Sequence, residues 1–184
     1  MKASELKKGM IIKDGGQFFV AIAMEHRTPG NLRAIYQATL KNILTGKMLN
    51  KRYSPSDTVE KADLEGKKVQ YLYRDHEGFH FMDMDNYEAL TLTDDMVGSA
   101  KDYLKENLEA QLLYYENKPV SIEIPVSIAL KIVESAPGSK GDTSGKAMKP
   151  AKLETGLIVN VPLFIAEGET VLVDSRTGQY LGRA

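Results

Sequence analysis

The stretch LIVNVPLFIAEGETVLVDSRTGQYL, residues 157–181, contains three short apolar runs separated by polar residues and glycine. The runs cover residues 157–164, 169–174 and 180–181, and a turn-like segment, residues 175–178, precedes the last of them. Short apolar runs bounded by turn residues are typical of β-strands. The stretch therefore predicts that this end of the chain consists of strands.

The same pattern extends towards the N-terminus and predicts an all-β protein. Turn segments at residues 13–16, 45–47 and 75–78 each contain glycine and separate two apolar runs, which indicates hairpins. The other predicted strands are residues 11–12, 18–24, 34–44, 48–53, 69–73, 79–83, 108–115, 120–124 and 128–133. Thr93 is a good N-cap for one helix reaching Leu104, and residues 135–152 are predicted to be a long loop.

Two breaks in this pattern divide the chain into three modules, residues 1–64, 65–126 and 127–184. A polar stretch at residues 54–66 marks the first break, and a short linker around Pro125 marks the second. The modules carry net charges of +5, −7 and +1. A basic module beside an acidic one predicts an oriented molecule whose basic end approaches phosphates. The alternative is that charge simply varies between small domains.

The residues that usually carry catalysis or hold a cofactor form no recognisable constellation. The chain has no cysteine, which excludes disulfides and thiolate chemistry and fits a reducing cytoplasm. His76 and His80 are four residues apart but straddle a predicted turn, so a metal site there is a weak alternative. No apolar run approaches the ~20 residues of a membrane helix. We expect a non-enzymatic protein without metal or cofactor.

Four aromatic residues, Tyr71, Tyr73, Phe79 and Phe81, alternate along two predicted neighbouring strands. Exposed aromatics at this spacing would stack on the bases of single-stranded nucleic acid. Period-two aromatics in a hairpin more often fill a core, and we favour that interpretation.

The segment from Lys149 to Gly168 carries the most specific motif. Lys149-Pro150-Ala151, then Gly156, then the run 159–168 with its Val161-Pro162 resemble the signature of the elongation factor P family. Further similar segments are residues 8–10, 40–46, 71–73, 81–83, 136–143 and 173–180. The resemblance covers nearly the whole chain.

The resemblance implies a fold and a function. It implies an N-terminal SH3-like barrel of the KOW type followed by two OB-folds, together shaped like the L of a transfer RNA. It implies a cytoplasmic, monomeric factor that binds both ribosomal subunits between the peptidyl and exit sites. There it would contact the peptidyl-tRNA and stimulate peptide bond formation, above all at consecutive prolines.

The family's loop tip usually reads Pro-Gly-Lys-Gly or Pro-Gly-Arg-Gly, and here the matching residues are Pro29, Gly30, Asn31 and Leu32. Our hypothesis is that Arg33 replaces the missing tip cation and approaches the tRNA acceptor end, assisted by Arg27, while Asn31 shapes the turn or hydrogen-bonds directly to the tRNA. The alternative is that Asn31 is an ordinary turn residue and Arg33 flanks a strand. The further candidate phosphate contacts of this module are Lys41, Lys47, Lys51 and Arg52.

A second loop resembles the family segment that approaches messenger RNA in the exit site. Its residues are Lys140, Gly141, Asp142 and Thr143. Asp142 can accept hydrogen bonds from base amino groups and Thr143 can donate or accept them. An ordinary surface loop is the alternative.

Two other functions stay open from the sequence. One is a paralogue of the same fold with a different ribosomal task, which the unusual tip favours. The other is a general single-stranded RNA-binding OB protein that works away from the ribosome, with affinity that falls steeply as salt rises.

Overall fold

The computed structural model describes residues 1–30, 32–137 and 147–184, and this part of the chain is mostly β-structure. Its strands form three five-stranded sheets, each built from consecutive strands of the chain. The helices of the described part are all too short and too polar to cross a membrane. The prediction of an all-β protein is confirmed.

The first sheet has the strand order β4-β3-β2-β1-β5. Its strands are β1 (Ile11–Asp14), β2 (Gln17–Arg27), β3 (Ile35–Asn42), β4 (Met48–Tyr53) and β5 (Glu60–Lys61). A short 3₁₀ helix, Ala3–Glu5, precedes them. Ile12, Ala38 and Leu40 are fully buried, and they form one apolar core with Phe19 and Ala21.

The second sheet has the order β10-β9-β6-β7-β8. Its strands are β6 (Glu65–Asp75), β7 (Gly78–Asp83), β8 (Ala89–Leu92), β9 (Glu109–Tyr115) and β10 (Lys118–Glu123). The predicted N-cap is confirmed, because the side chain of Thr93 accepts a hydrogen bond from the Met96 amide. The predicted length of the helix is wrong, since α1 (Asp94–Val97) gives way at Gly98, whose φ is +56°, to a 3₁₀ turn.

The third sheet has the order β13-β12-β11-β14-β15 and contains a strand that the sequence did not predict. Its strands are β11 (Ser127–Ser135), β12 (Met148–Leu153), β13 (Ile158–Pro162), β14 (Thr170–Asp174) and β15 (Tyr180–Arg183). Strand β12 occupies the end of the predicted loop 135–152. It buries Lys149, Ala151 and Leu153 on one face. Because one of these inward residues is a lysine, the sequence lacks the regular alternation of apolar and polar residues that predicts a strand.

The chain groups into two compact units, each built from two segments. One contains Met1–Lys67 with Leu112–Ser121, and the other contains Lys68–Gln111 with Ile122–Ala184. The first unit therefore contains the first sheet and the part of strands β9 and β10 on either side of their turn. Within this unit the rings of Phe18 and Tyr115 meet edge to face. The module boundaries drawn from the sequence, after residues 64 and 126, stay a prediction.

The four alternating aromatics of the second sheet divide into three core residues and one exposed residue. Tyr71, Phe79 and Phe81 are buried, as the core interpretation predicted. Tyr73 is 54% exposed. A register shift between Tyr71 and Tyr73 is the reason, because it pairs Tyr73 with His80 and interrupts the alternation of faces.

Candidate nucleic-acid interface

The β2–β3 hairpin extends beyond the core of the first sheet. Its last three cross-strand pairs are Glu25 with Gln37, His26 with Tyr36, and Arg27 with Ile35. The β2 members of these pairs are exposed and the β3 members are half-buried. The rings of His26 and Tyr36 stack with centroids 4.7 Å apart, and half-buried Tyr36 also packs against the core, so the stack ties the exposed end of β2 to the sheet. We call residues 25–37 the hairpin end.

The loop at the hairpin end is a tight turn. The Leu32 amide donates to the Pro29 carbonyl at 3.0 Å, which closes a four-residue turn, and Gly30 lies at φ +54°. Glycine adopts this left-handed backbone without the penalty that other residues have. Leu32 is 72% exposed, so the turn presents an apolar side chain to solvent. Asn31 lies outside the described residues.

Three arginines lie at or near the hairpin end. Arg33 is exposed on the loop. Arg27 is exposed but pairs with Glu25, whose carboxylate accepts from Nη2 at 2.6 Å and from Nε at 3.0 Å. Arg52 of β4 pairs with Gln37, which in turn pairs with Glu25, so Arg52 lies in the same cross-strand row as that acid.

The candidate lysines are not part of this group. Lys41 pairs with Met48 at the opposite end of β3, six residues from Ile35, which is about 20 Å along a strand. Lys47 is exposed in the turn that follows β3. The structure therefore divides the candidate cations into an arginine group at the hairpin end and two lysines at the other end of β3.

Lys51 already has an anionic partner. Its ammonium donates to the carboxylate of Asp14 and lies 5.6 Å from the centre of the Tyr53 ring. The hydrogen bond to Asp14 raises the pKa of Lys51 above its ordinary value. A phosphate would have to compete with Asp14 for this lysine, as it would with Glu25 for Arg27, so both are weaker candidates than Arg33.

The second candidate loop, Lys140, Gly141, Asp142 and Thr143, lies outside the described residues. The structure does describe Lys149, which follows it. The side chain of Lys149 is buried, and its Nζ donates to the Ala136 carbonyl at 2.6 Å. Lys149 thereby ties β12 to the chain that follows β11. The sequence motif contained this lysine without indicating that it is buried.

A histidine and two acids lie close together in the second sheet, where the sequence pattern indicated a metal site only weakly. Ligand atoms of Asp75, Glu77 and His80 lie within 4.8 Å of one another. The Nε2 atom of His80 is 2.7 Å from an Asp75 carboxylate oxygen, and its Nδ1 atom is 3.0 Å from the Thr91 hydroxyl. The hydrogen bond with His80 lowers the pKa of Asp75. Both ring nitrogens of His80 thus have hydrogen-bonding partners within the protein, and these bonds explain why the side chains lie close together.

Comparison with family models gives one consistent match along the chain. Residues 2–59 match the elongation factor P KOW-like domain, residues 64–122 match the elongation factor P OB domain, and residues 128–183 match the elongation factor P C-terminal domain. These matches identify the class of protein as a translation factor with a KOW-like domain followed by an OB domain. The chain belongs to the elongation factor P family.

Curated relatives match over nearly their full length. Elongation factor P of Acidobacterium capsulatum is 41% identical over 182 residues, which are 99% of this chain and 98% of that protein. The Clostridium novyi protein of the same name is 42% identical over 183 residues, covering 100% of this chain and 99% of its own. The Helicobacter pylori protein is 42% identical over 178 residues, covering 97% and 95%.

A solved structure supports the fold. A translation initiation factor eif-5a family protein from Naegleria fowleri superposes with a TM-score of 0.51 at 15% identity, covering 67% of this chain and 96% of its own. The predicted fold class, a KOW-type module followed by OB-folds, is confirmed by the family matches and agrees with this likeness.

Proposed function

We propose that this chain binds the ribosome between the peptidyl and exit sites and stimulates peptide bond formation at consecutive prolines. In this proposal it acts as a monomer in the cytoplasm, contacts both subunits, and holds the acceptor end of the peptidyl-tRNA with its hairpin end. The observation that carries the proposal is the hairpin end itself. It extends a tight turn beyond the core and carries exposed Arg33 beside it.

The mechanism is positioning, without a covalent step on the protein. Proline is a poor nucleophile, and the fixed φ of a Pro-Pro nascent chain restricts the geometry of attack. A factor that holds the reacting end of the tRNA in the geometry of attack reduces the entropy lost on reaching the transition state, and so lowers the barrier to peptide bond formation. This work needs a rigid extension, which the His26–Tyr36 stack supplies, and cations that meet backbone phosphates.

The arginine group supplies those cations in the proposal. Arg33 contacts the acceptor end, while Arg27 and Arg52 contact phosphates further from the turn. Lys41 and Lys47 are about 20 Å away along β3 and would meet different phosphates, or none. Lys140, Gly141, Asp142 and Thr143 remain the proposed contact to messenger RNA.

The test compares two charge removals on the same module. Arg33→Ala should slow synthesis of a polyproline reporter in a reconstituted translation system, and Lys7→Ala, which removes an exposed cation that is not a candidate contact, should leave the rate close to that of the wild type. Both positions are exposed, so neither change should affect folding. Equal rates for Arg33→Ala and the wild type would refute the assignment of Arg33.

A paralogue with a different ribosomal task is the second candidate, and exposed Leu32 favours it. Leu32 stands where the family's tip usually has glycine, and its exposed side chain changes the shape and polarity of the tip that would meet the tRNA. If this chain fails to restore polyproline synthesis in a factor-deleted strain but still sediments with ribosomes, the paralogue is the better assignment. Strong affinity for free RNA without preference for ribosomes would instead indicate an RNA-binding protein that works elsewhere.

A further inference from the structure

A large aromatic side chain projects into solvent from the third sheet. Phe164 is 67% exposed on the turn that follows β13. The next residue, Ile165, is fully buried, and its amide donates to the Pro162 carbonyl at 3.1 Å. Because the turn is anchored on both sides of Phe164, the ring is held outwards. The exposure is therefore a property of a fixed turn.

A polar network orients the Phe164 ring. The guanidinium carbon of Arg183 lies 5.1 Å from the ring centre. The Nε of Arg183 lies 2.9 Å from one carboxylate oxygen of Glu169, which makes an ion pair, and the other oxygen accepts from the Ala166 amide at 2.9 Å. The arginine is thus fixed against the ring by an acid that also braces the turn. Such a pair is an oriented aromatic–cation platform.

The platform borders a cavity of about 500 Å³. The cavity reaches from Phe164 to buried Lys149, and Ser135 and Glu167 also line it. Its size lies in the range of small-ligand sites, and its walls combine an aromatic ring with hydrogen-bonding groups. A planar, polar-edged group that stacks on the ring would fit this combination.

We propose that Phe164 and Arg183 form a stacking platform for an unpaired base of single-stranded RNA. The inference rests on the proposed function in one respect, since that function supplies RNA as the partner. Every base has a face that stacks on an aromatic ring, and arginine adds a cation–π contribution to the stack. The third module has a net charge of +1, whereas the second module, which holds exposed Tyr73, has a net charge of −7 and repels phosphates.

The absence of tryptophan from the chain provides a direct probe. Phe164→Trp places the chain's one tryptophan at the platform, where its emission can be excited selectively over that of the nine tyrosines. Ile158→Trp places the tryptophan at a position of nearly equal exposure, 66%, in the same sheet. A short single-stranded oligoadenylate should quench the first variant saturably and leave the second nearly unchanged. A duplex of equal length should quench neither, because pairing holds its bases inside the double helix and no base face is free to stack on the ring.

Affinity measurements with the full chain separate stacking from apolar contact. Phe164→Ala and Phe164→Leu should both weaken binding of the oligoadenylate about fivefold or more, while Phe164→Trp and Phe164→Tyr keep it. Ile158→Ala is the control and should bind as the wild type does. Ribosome binding that survives Phe164→Leu but not Phe164→Ala would overturn the proposal in favour of a protein partner.

The same variants distinguish this proposal from the proposed function. If no oligoadenylate quenches the Phe164→Trp variant up to millimolar concentration, or if both tryptophan variants are quenched equally, the platform is refuted. The wild-type chain tested beside them in polyproline synthesis reports on the proposed function alone. Stimulation by the wild type together with absent quenching would leave that function standing and remove the platform.

Discussion

Neutralising Glu25 should strengthen the binding of this chain to the ribosome. The Glu25 carboxylate accepts two hydrogen bonds from Arg27 and lies in the cross-strand row that contains Arg52. A phosphate that binds Arg27 must compete with this acid. Glu25→Gln keeps the shape of the side chain and removes the competing charge, so Arg27 becomes fully available at the hairpin end.

The size of the effect follows from the exposure of the pair. The side chains of Arg27 and Glu25 are 65% and 56% exposed, so their interaction is that of a surface ion pair, about 0.2–1 kcal/mol. Removing that competition should tighten binding by up to about fivefold, since about 1.4 kcal/mol corresponds to a factor of ten. One additional cation meeting a phosphate should also steepen the dependence of log K on log salt by about 0.7.

The assay is ribosome binding measured over a series of salt concentrations. Asp63→Asn is the matched control, because Asp63 is an exposed acid that pairs with Lys61 at 2.9 Å in the same unit but away from the hairpin end. It changes the net charge by the same amount, so any general charge effect appears in both variants. Equal affinities and equal salt slopes for the two variants would refute the role given to Arg27.

Two further predictions concern stability. Gly78 lies at φ +135°, and a Cβ there would overlap the Leu92 carbonyl, so Gly78→Ala should lower the free energy of unfolding by about 3 kcal/mol or more. Gly168→Ala, at φ +89° with open space around it, should cost only about 1 kcal/mol, and similar denaturation midpoints for both would contradict this reasoning. The hydrogen bond from Arg176 lowers the pKa of Asp174 from its ordinary value of 3.8 to about 2. The ionised carboxylate therefore contributes its full stabilisation of the folded state at pH values above 3.8. Asp174→Asn should therefore be less stable than the wild type at neutral pH, and chemical denaturation should show the difference shrinking as pH falls from about 4 towards 2; a difference that does not change with pH would exclude the ion pair as its cause.

Strands flanked by glycine turns were the most predictable part of the fold. Residues 48–53 were predicted as a strand and form β4 with the same limits. The hairpin between residues 11–12 and 18–24 was also predicted, because an Asp-Gly pair such as Asp14-Gly15 favours the tight turn of a hairpin. These elements depend on local sequence alone, and their prediction needed no knowledge of the packing.

Strand β12 was not predicted, because the contacts that allow these residues to form a strand are made with another part of the fold. Residues 148–153 contain two lysines and a proline, all of which are uncommon inside strands. Lys149 occupies an inward position where an apolar residue is expected, and the Ala136 carbonyl satisfies one of its donors there. A buried lysine costs free energy unless it has such a partner, and the partner belongs to a distant part of the sequence. A local pattern therefore cannot indicate it.

The charge of the hairpin end depends on one residue that the sequence does not mark. In β2, Phe19 and Ala21 face the core, and a strict alternation would turn Glu25 and Arg27 the same way. The register shifts between Ala21 and Ala23, so Ile22 is an extra residue and the two faces exchange beyond it. Glu25 and Arg27 are thereby exposed on the solvent face. Composition predicted a basic module, but only the register, which depends on the pairing of β2 with β3, shows that Arg27 faces solvent.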